Sequence, residues 1–191
     1  MPDVKEVLAA ATQRLGERAD AELLLLHVLQ KPRSWLFTHA GEALGPDIHA
    51  AYEALLARRE AGEPVAYLTG RRGFWTLELE VTPATLIPRP ETELLVELAL
   101  QRLPPDFSGS VADLGTGSGA VALAIARERP LAQLVATDAS TAALEVARRD
   151  AERHAIGNVG IYEGPFEFAG RLPRPIDRLY EGQFLQDWAA K

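Results

Sequence analysis

The run Val111-Ala-Asp-Leu-Gly-Thr-Gly-Ser-Gly-Ala120 narrows the possible folds more than any other stretch of this 191-residue chain. A short apolar segment passes through Asp113 into glycines at three alternate positions, 115, 117 and 119, and then into the helical-looking run Val121 to Arg127. The pattern is strand, tight loop, helix. Such a loop lets the backbone approach a ligand closely, and the helix that follows presents unpaired N–H groups and a partial positive charge. The expected ligand is a nucleotide-like cofactor. Three glycines with an acid at Asp113 and another at Asp138 exceed what a tight turn alone requires.

The surrounding sequence repeats the theme. Leu131 to Thr137 is a second apolar run ending at Asp138, Ser140 can cap a helix from Thr141 to His154, and Asn158 to Tyr162 reads as a third strand. Strand, helix, strand, helix, strand at this spacing implies a parallel, doubly wound sheet. Upstream, apolar residues fall at helical spacing from Val4 to Gln13 and from Ala19 to Gln30, Ser34 can cap Trp35 to His39, and Pro46 opens a helix to about Arg59. Three or four helices are expected between 3 and 62, followed by a connector at Glu63 to Gly70. His27 and His39 read as packed or surface histidines. Leu77, Leu79 and Val81 alternate with polar neighbours in a strand from Phe74, and Thr85-Leu-Ile87 is the expected partner in a hairpin. Ile87-Pro-Arg-Pro-Glu-Thr-Glu93, taken alone, is a rigid entry to a helix from Thr92 to Arg102.

With 47% hydrophobic residues the chain is globular, and a net charge of −7 argues against nucleic acid as the main partner. No cysteine is present and the four histidines lack ligand spacing, so disulfides and thiolate metal sites are excluded. No apolar run approaches the ~20 residues that span a bilayer and no signal-peptide core follows Met1, so a cytoplasmic, membrane-free protein is the expectation.

Two cofactor classes compete for the loop. Gly115, Gly117 and Ala120 fit the dinucleotide pattern G-x-G-x-x-G/A, with Asp138 about 20 residues on. A dinucleotide site needs a second mononucleotide-binding half, however, and too little patterned sequence follows Asn158 to build one. The alternative is an S-adenosylmethionine site, with Asp113 and the alternate glycines facing the methionine part. A Walker loop is excluded because no Gly-Lys-Ser/Thr follows.

Asp113-Leu-Gly-Thr-Gly-Ser-Gly119 with Ala136-Thr-Asp138 resembles motif I and the second-strand acid of class I methyltransferases. Together with Pro64-Val-Ala-Tyr-Leu-Thr-Gly70, Phe74-Trp75 and Thr85-Leu-Ile-Pro-Arg-Pro-Glu-Thr-Glu-Leu-Leu95, it resembles the HemK/PrmC family, the release-factor glutamine methyltransferases. The likeness runs to about residue 164. It implies an α/β chain: a helical domain over 1–72 that holds the release factor, a hairpin linker over 73–87, and the first part of a Rossmann-like methyltransferase domain over 88–164. The implied reaction moves a methyl group from S-adenosyl-L-methionine to the side-chain amide of the glutamine in the release factors' Gly-Gly-Gln motif. By the same resemblance, Gly115, Thr116, Gly117, Ser118 and Gly119 wrap the methionine and ribose, Asp138 accepts from the ribose hydroxyls, and Phe166 takes the aromatic place beside the adenine.

The family's Asn-Pro-Pro-Tyr motif is absent, and the sole asparagine is Asn158. No catalytic residue is therefore assigned. Residues 165–191 form a divergent tail in which no further strand is legible and one short amphipathic helix is expected near Tyr180 to Ala190; a frameshift is one origin for it. With no fourth strand, Val111 to Leu114 would form an open, aggregation-prone edge, and the chain would methylate little or nothing. The alternatives are a non-catalytic release-factor-binding module and a relative that methylates DNA adenine, the latter disfavoured by the acidic charge and the Pro-Arg-Pro-Glu run.

Overall fold

A computed structural model describes residues 2–164 and, for 178–181, the backbone path. Phe166 and most of the tail lie outside the described residues. The chain divides into two compact units, Met1–Gly70 and Arg71–Lys191.

The first unit is helical. Helix α1 (Val4–Leu15) starts with a reciprocal capping box: Glu6 N–H donates to Asp3 Oδ1 at 2.8 Å and Asp3 N–H to Glu6 Oε2 at 3.1 Å. It stops at Gly16, whose φ of 75° suits glycine. Helix α2 (Arg18–Leu29) is followed by α3 (Ser34–Thr38) and α4 (Pro46–Glu60), whose first residue is proline. Ser34 is the first residue of α3, not its cap, which is Arg33. The expected connector before Gly70 instead holds a helix, α5 (Val65–Thr69). Val4, Leu8, Leu24, Leu25, Tyr52 and Leu56 form the core, and the Tyr52 hydroxyl donates to the Ala21 carbonyl at 3.0 Å. Glu22 is buried but paired with Arg18 at 2.7 Å and Arg33 at 2.8 Å, and Arg18 first, then Arg33, holds its carboxyl below the usual range. His39 stacks on Trp35 with ring centroids 4.4 Å apart.

The second unit opens with a hairpin that differs from the expected one. Strand β1 (Arg71–Phe74) pairs antiparallel with β2 (Leu77–Glu80), so the partner of the alternating strand lies before it, and Thr85 to Ile87 is not in a strand. A 3-10 turn at Pro90–Thr92 leads into α6 (Glu93–Arg102). Then come β3 (Ser110–Leu114), α7 (Ala120–Glu128), β4 (Gln133–Asp138), α8 (Thr141–Arg153) and β5 (Val159–Glu163). Phe74, Leu77 and Leu79 of the hairpin share one core with Val96, Val111, Leu123, Ile125 and Leu134.

The sheet corrects a second expectation. A further strand exists in the tail, β6 (Arg178–Glu181), and it pairs in parallel with β3: Val111 with Arg178, Leu114 with Glu181. The order is β5-β4-β3-β6, so β3 is interior and its second edge is not open. Tyr180, expected in a helix, lies in this strand. Strand order reverses at β3, and in open α/β sheets the crevice beyond the strand ends at such a reversal is where ligands bind. No helix among the described residues is long and apolar enough to cross a membrane.

Candidate functional site

The glycine loop leaves the carboxyl end of β3 at this reversal. Gly115, Gly117 and Gly119 have φ of 74°, 56° and 80°, all in the left-handed region that favours glycine. Two hydrogen bonds tie the start of the loop to the neighbouring strand: the N–H groups of Gly115 and Thr116 both donate to the Thr137 carbonyl, at 2.8 and 2.9 Å. Gly119 fits closely against α8, since a Cβ added there would stand 3.0 Å from the Ala147 Cβ; one added to Gly117 meets nothing within 4 Å. Gly119 is thus a packing requirement, whereas the space beside Gly117 is open.

Asp113 turns inward. Its Oδ2 accepts from the Thr116 hydroxyl at 2.7 Å and from the Ala122 N–H at 3.1 Å, which ties the strand end, the loop and the first turn of α7 together. The expectation that it faces the ligand is corrected by this burial. Desolvation pushes its carboxyl up to about 6, against the opposing pull of the Thr116 and Ala122 hydrogen bonds.

Asp138, at the end of β4, is half-buried and bridges the loop to the next helix. Its Oδ2 accepts from the Gly117 N–H at 2.8 Å and its Oδ1 from the Ser140 N–H at 2.9 Å, while the Ser140 hydroxyl caps α8 through Ala143 N–H at 3.3 Å. A carboxylate has about four acceptor positions, so each oxygen retains capacity for a ligand hydroxyl. No acceptor among the described residues takes the N–H of Ser118, Ala120 or Val121 at the start of α7. These donors suit an anionic group such as a carboxylate.

The structure therefore brings Gly115, Thr116, Gly117, Ser118, Gly119 and Asp138 together, whereas Phe166 is outside the described residues. Asn158 lies elsewhere, at the foot of β5. Its side-chain NH₂ is shared among the carbonyls of Ala126, Arg129 and Ala132 at 3.1, 3.1 and 3.0 Å, so it knits the loop between α7 and β4. An open groove lined by Arg148, Ala151, Ile156 and Ile161 beside β5 includes none of the loop residues. No group of three or more possible metal ligands occurs among the described residues.

Comparison with known proteins agrees with this geometry. Residues 6–70 match the family model described as the PrmC N-terminal domain, and residues 91–165 match the methyltransferase small domain. A release factor glutamine methyltransferase of Xylella fastidiosa (strain Temecula1 / ATCC 700964) is 57% identical over 164 residues, covering 86% of this chain and 59% of the relative. The chain carries a PrmC N-terminal domain. A second relative, the release factor glutamine methyltransferase of Coxiella burnetii (strain RSA 493 / Nine Mile phase I), is 48% identical over 179 residues, covering 91% of this chain and 64% of its own. The chain thus spans less than two thirds of the length of these relatives. Among solved structures, Trm5b from Pyrococcus abyssi aligns at 15% identity with a TM-score of 0.50 over 63% of this chain and 36% of its own, a likeness of fold.

What sequence reasoning missed here are Asp113's inward role and the roles of Trp75, Glu93 and Glu128. Trp75 has a φ of 53°, its N–H donates to Glu93 Oε1 at 2.9 Å, and its indole N–H donates to Glu128 Oε1 at 2.9 Å. The only sequence signal for this is Trp in a two-residue hairpin loop, a position normally given to glycine or asparagine.

Proposed function

We propose that this chain is the cofactor-holding part of an S-adenosyl-L-methionine-dependent methyltransferase acting on the glutamine amide of peptide chain release factors. The observation that carries the reading is the left-handed glycine loop closed by Asp138, in a chain that carries a PrmC N-terminal domain. In this role the loop backbone and the free N–H groups of α7 bind the methionine end, and Asp138 receives the ribose hydroxyls through its remaining acceptor positions. Bound there, the cofactor supplies an electrophilic methyl group. The helical unit over 6–70 is the surface that engages the release factor.

Methylating an amide is demanding because the nitrogen lone pair is delocalised. The site must accept the NH₂ hydrogens and aim the nitrogen. Asn158, the chain's sole asparagine, lies at the amino end of β5, whereas the glycine loop leaves the carboxyl end of β3, so it is not placed for that task. The chain as given is expected to retain labelled S-adenosylmethionine without methylating a purified release factor. Incubation with methyl-labelled cofactor and a release factor, followed by separate counting of retained cofactor and modified glutamine, tests both parts. Methylated glutamine would overturn the second, and the absence of retained cofactor the first.

A further inference from the structure

The hairpin tip stands out because its conformation is costly for the residue that occupies it. Phe74 pairs with Leu77, leaving Trp75 and Thr76 as a two-residue loop, and Trp75 adopts the left-handed φ of 53°. Glycine would take this position without strain, and strained residues persist only where their surroundings over-determine them. Three contacts do so here. The Trp75 ring packs against the core of the second unit, its backbone N–H is held by Glu93 Oε1, and its indole N–H is held by Glu128 Oε1.

The two carboxylates belong to elements that matter for the glycine loop. Glu93 is the first residue of α6, immediately after the Pro90–Thr92 turn. Glu128 is the last residue of α7, whose N-terminal end adjoins Gly119. Helix α7 has nine residues and is about 13 Å long. Every residue from Ala120 to Ala126 is buried, so the helix has little freedom to bend. A constraint at its carboxyl end is therefore passed to the loop at its other end.

From this we infer that Trp75 is a positioning residue for the cofactor site: it ties the start of α6 to the end of α7 and so fixes where α7 presents the glycine loop. The inference rests on the proposed cofactor reading and adds to it a residue outside the loop. A filler role would need the ring alone. The positioning role needs the indole N–H and its acceptor.

The test is a double-mutant cycle on the full chain, read by calorimetric titration with S-adenosylhomocysteine. Trp75→Phe keeps the ring and removes the donor, and Glu128→Ala removes the acceptor. Each is expected to weaken binding by about two- to tenfold, the value of one hydrogen bond, and the double variant to be no weaker than either single one. Glu128→Gln keeps an acceptor oxygen and should restore binding to near the starting affinity. Amide hydrogen exchange at Gly115 to Ala120 without ligand should rise in Trp75→Phe, while the thermal midpoint changes little. Unchanged affinity with unchanged loop exchange in Trp75→Phe, or additive losses in the double variant, would overturn the inference. If the unmodified chain bound no S-adenosylhomocysteine, the cofactor reading would fail, and loop exchange alone would decide the role of Trp75.

Discussion

Asp113 shows how a residue can be essential to a site it does not face. Burial raises its carboxyl to about 6 from an ordinary 3.8, so between those values the folded chain holds a proton that the unfolded chain releases. Stability therefore falls as pH rises through about 4 to 6, and the loss is complete above that window. Chemical denaturation across this range should show the slope, and Asp113→Asn should flatten it. Asp113→Ala leaves the Thr116 hydroxyl and Ala122 N–H buried without an acceptor and should cost about 1–3 kcal/mol at neutral pH. Gly119→Ala meets both a φ of 80° and the Ala147 Cβ at 3.0 Å, and should cost about 1–3 kcal/mol. Thr137 gives the opposite sign: its buried hydroxyl has no hydrogen-bond partner among the described residues, so Thr137→Val should stabilise the chain by about 1 kcal/mol in the same denaturation experiment.

At the level of elements, the hairpin belongs to the second unit. Both oxygens of Asp150 accept from the Glu80 N–H, at 3.2 and 2.9 Å, and Arg149 makes a two-pronged contact with the Glu80 carboxylate at 2.9 and 2.7 Å. His154 Nε2 and the Arg153 guanidinium both reach the Glu78 carbonyl. Helix α8 thus grips β2 along its length. Asp150→Ala should expose this grip: it leaves the Glu80 N–H unpaired, and exchange of the β2 amides should quicken more than that of β4. Much of this unit was legible beforehand. The glycine spacing located the loop, Asp138 the end of β4 and Ser140 the cap of α8, because each depends on local chemistry. Strands β1 and β6 were not legible for physical reasons. In Arg71-Arg-Gly-Phe74 only Phe74 is buried, so no alternation marks the strand. Arg178-Leu-Tyr-Glu181 has charges at both ends, and its identity comes from parallel pairing with β3 more than sixty residues earlier, which no local pattern encodes. The inward turn of Asp113 and the left-handed Trp75 are tertiary outcomes as well.

For the whole molecule, each unit has its own core, and the family models match them separately, at 6–70 and 91–165. On the proposed reading the first unit engages the release factor and the second holds the cofactor, so ligand should stabilise only the second unit by mass action. The pairing of β6 with β3 gives the sheet an interior β3, which the chain up to residue 164 could not supply. The central claim is that the glycine loop and Asp138 form an S-adenosylmethionine site. Titration calorimetry with S-adenosylhomocysteine on the unmodified chain and on Asp138→Ala tests it most directly. One ligand should bind per chain, and the Asp138→Ala variant, still folded by circular dichroism, should bind at least about tenfold more weakly, as expected for charge-assisted hydrogen bonds worth about 1.5–3 kcal/mol. No binding by the unmodified chain, or equal binding by the folded variant, would contradict the account.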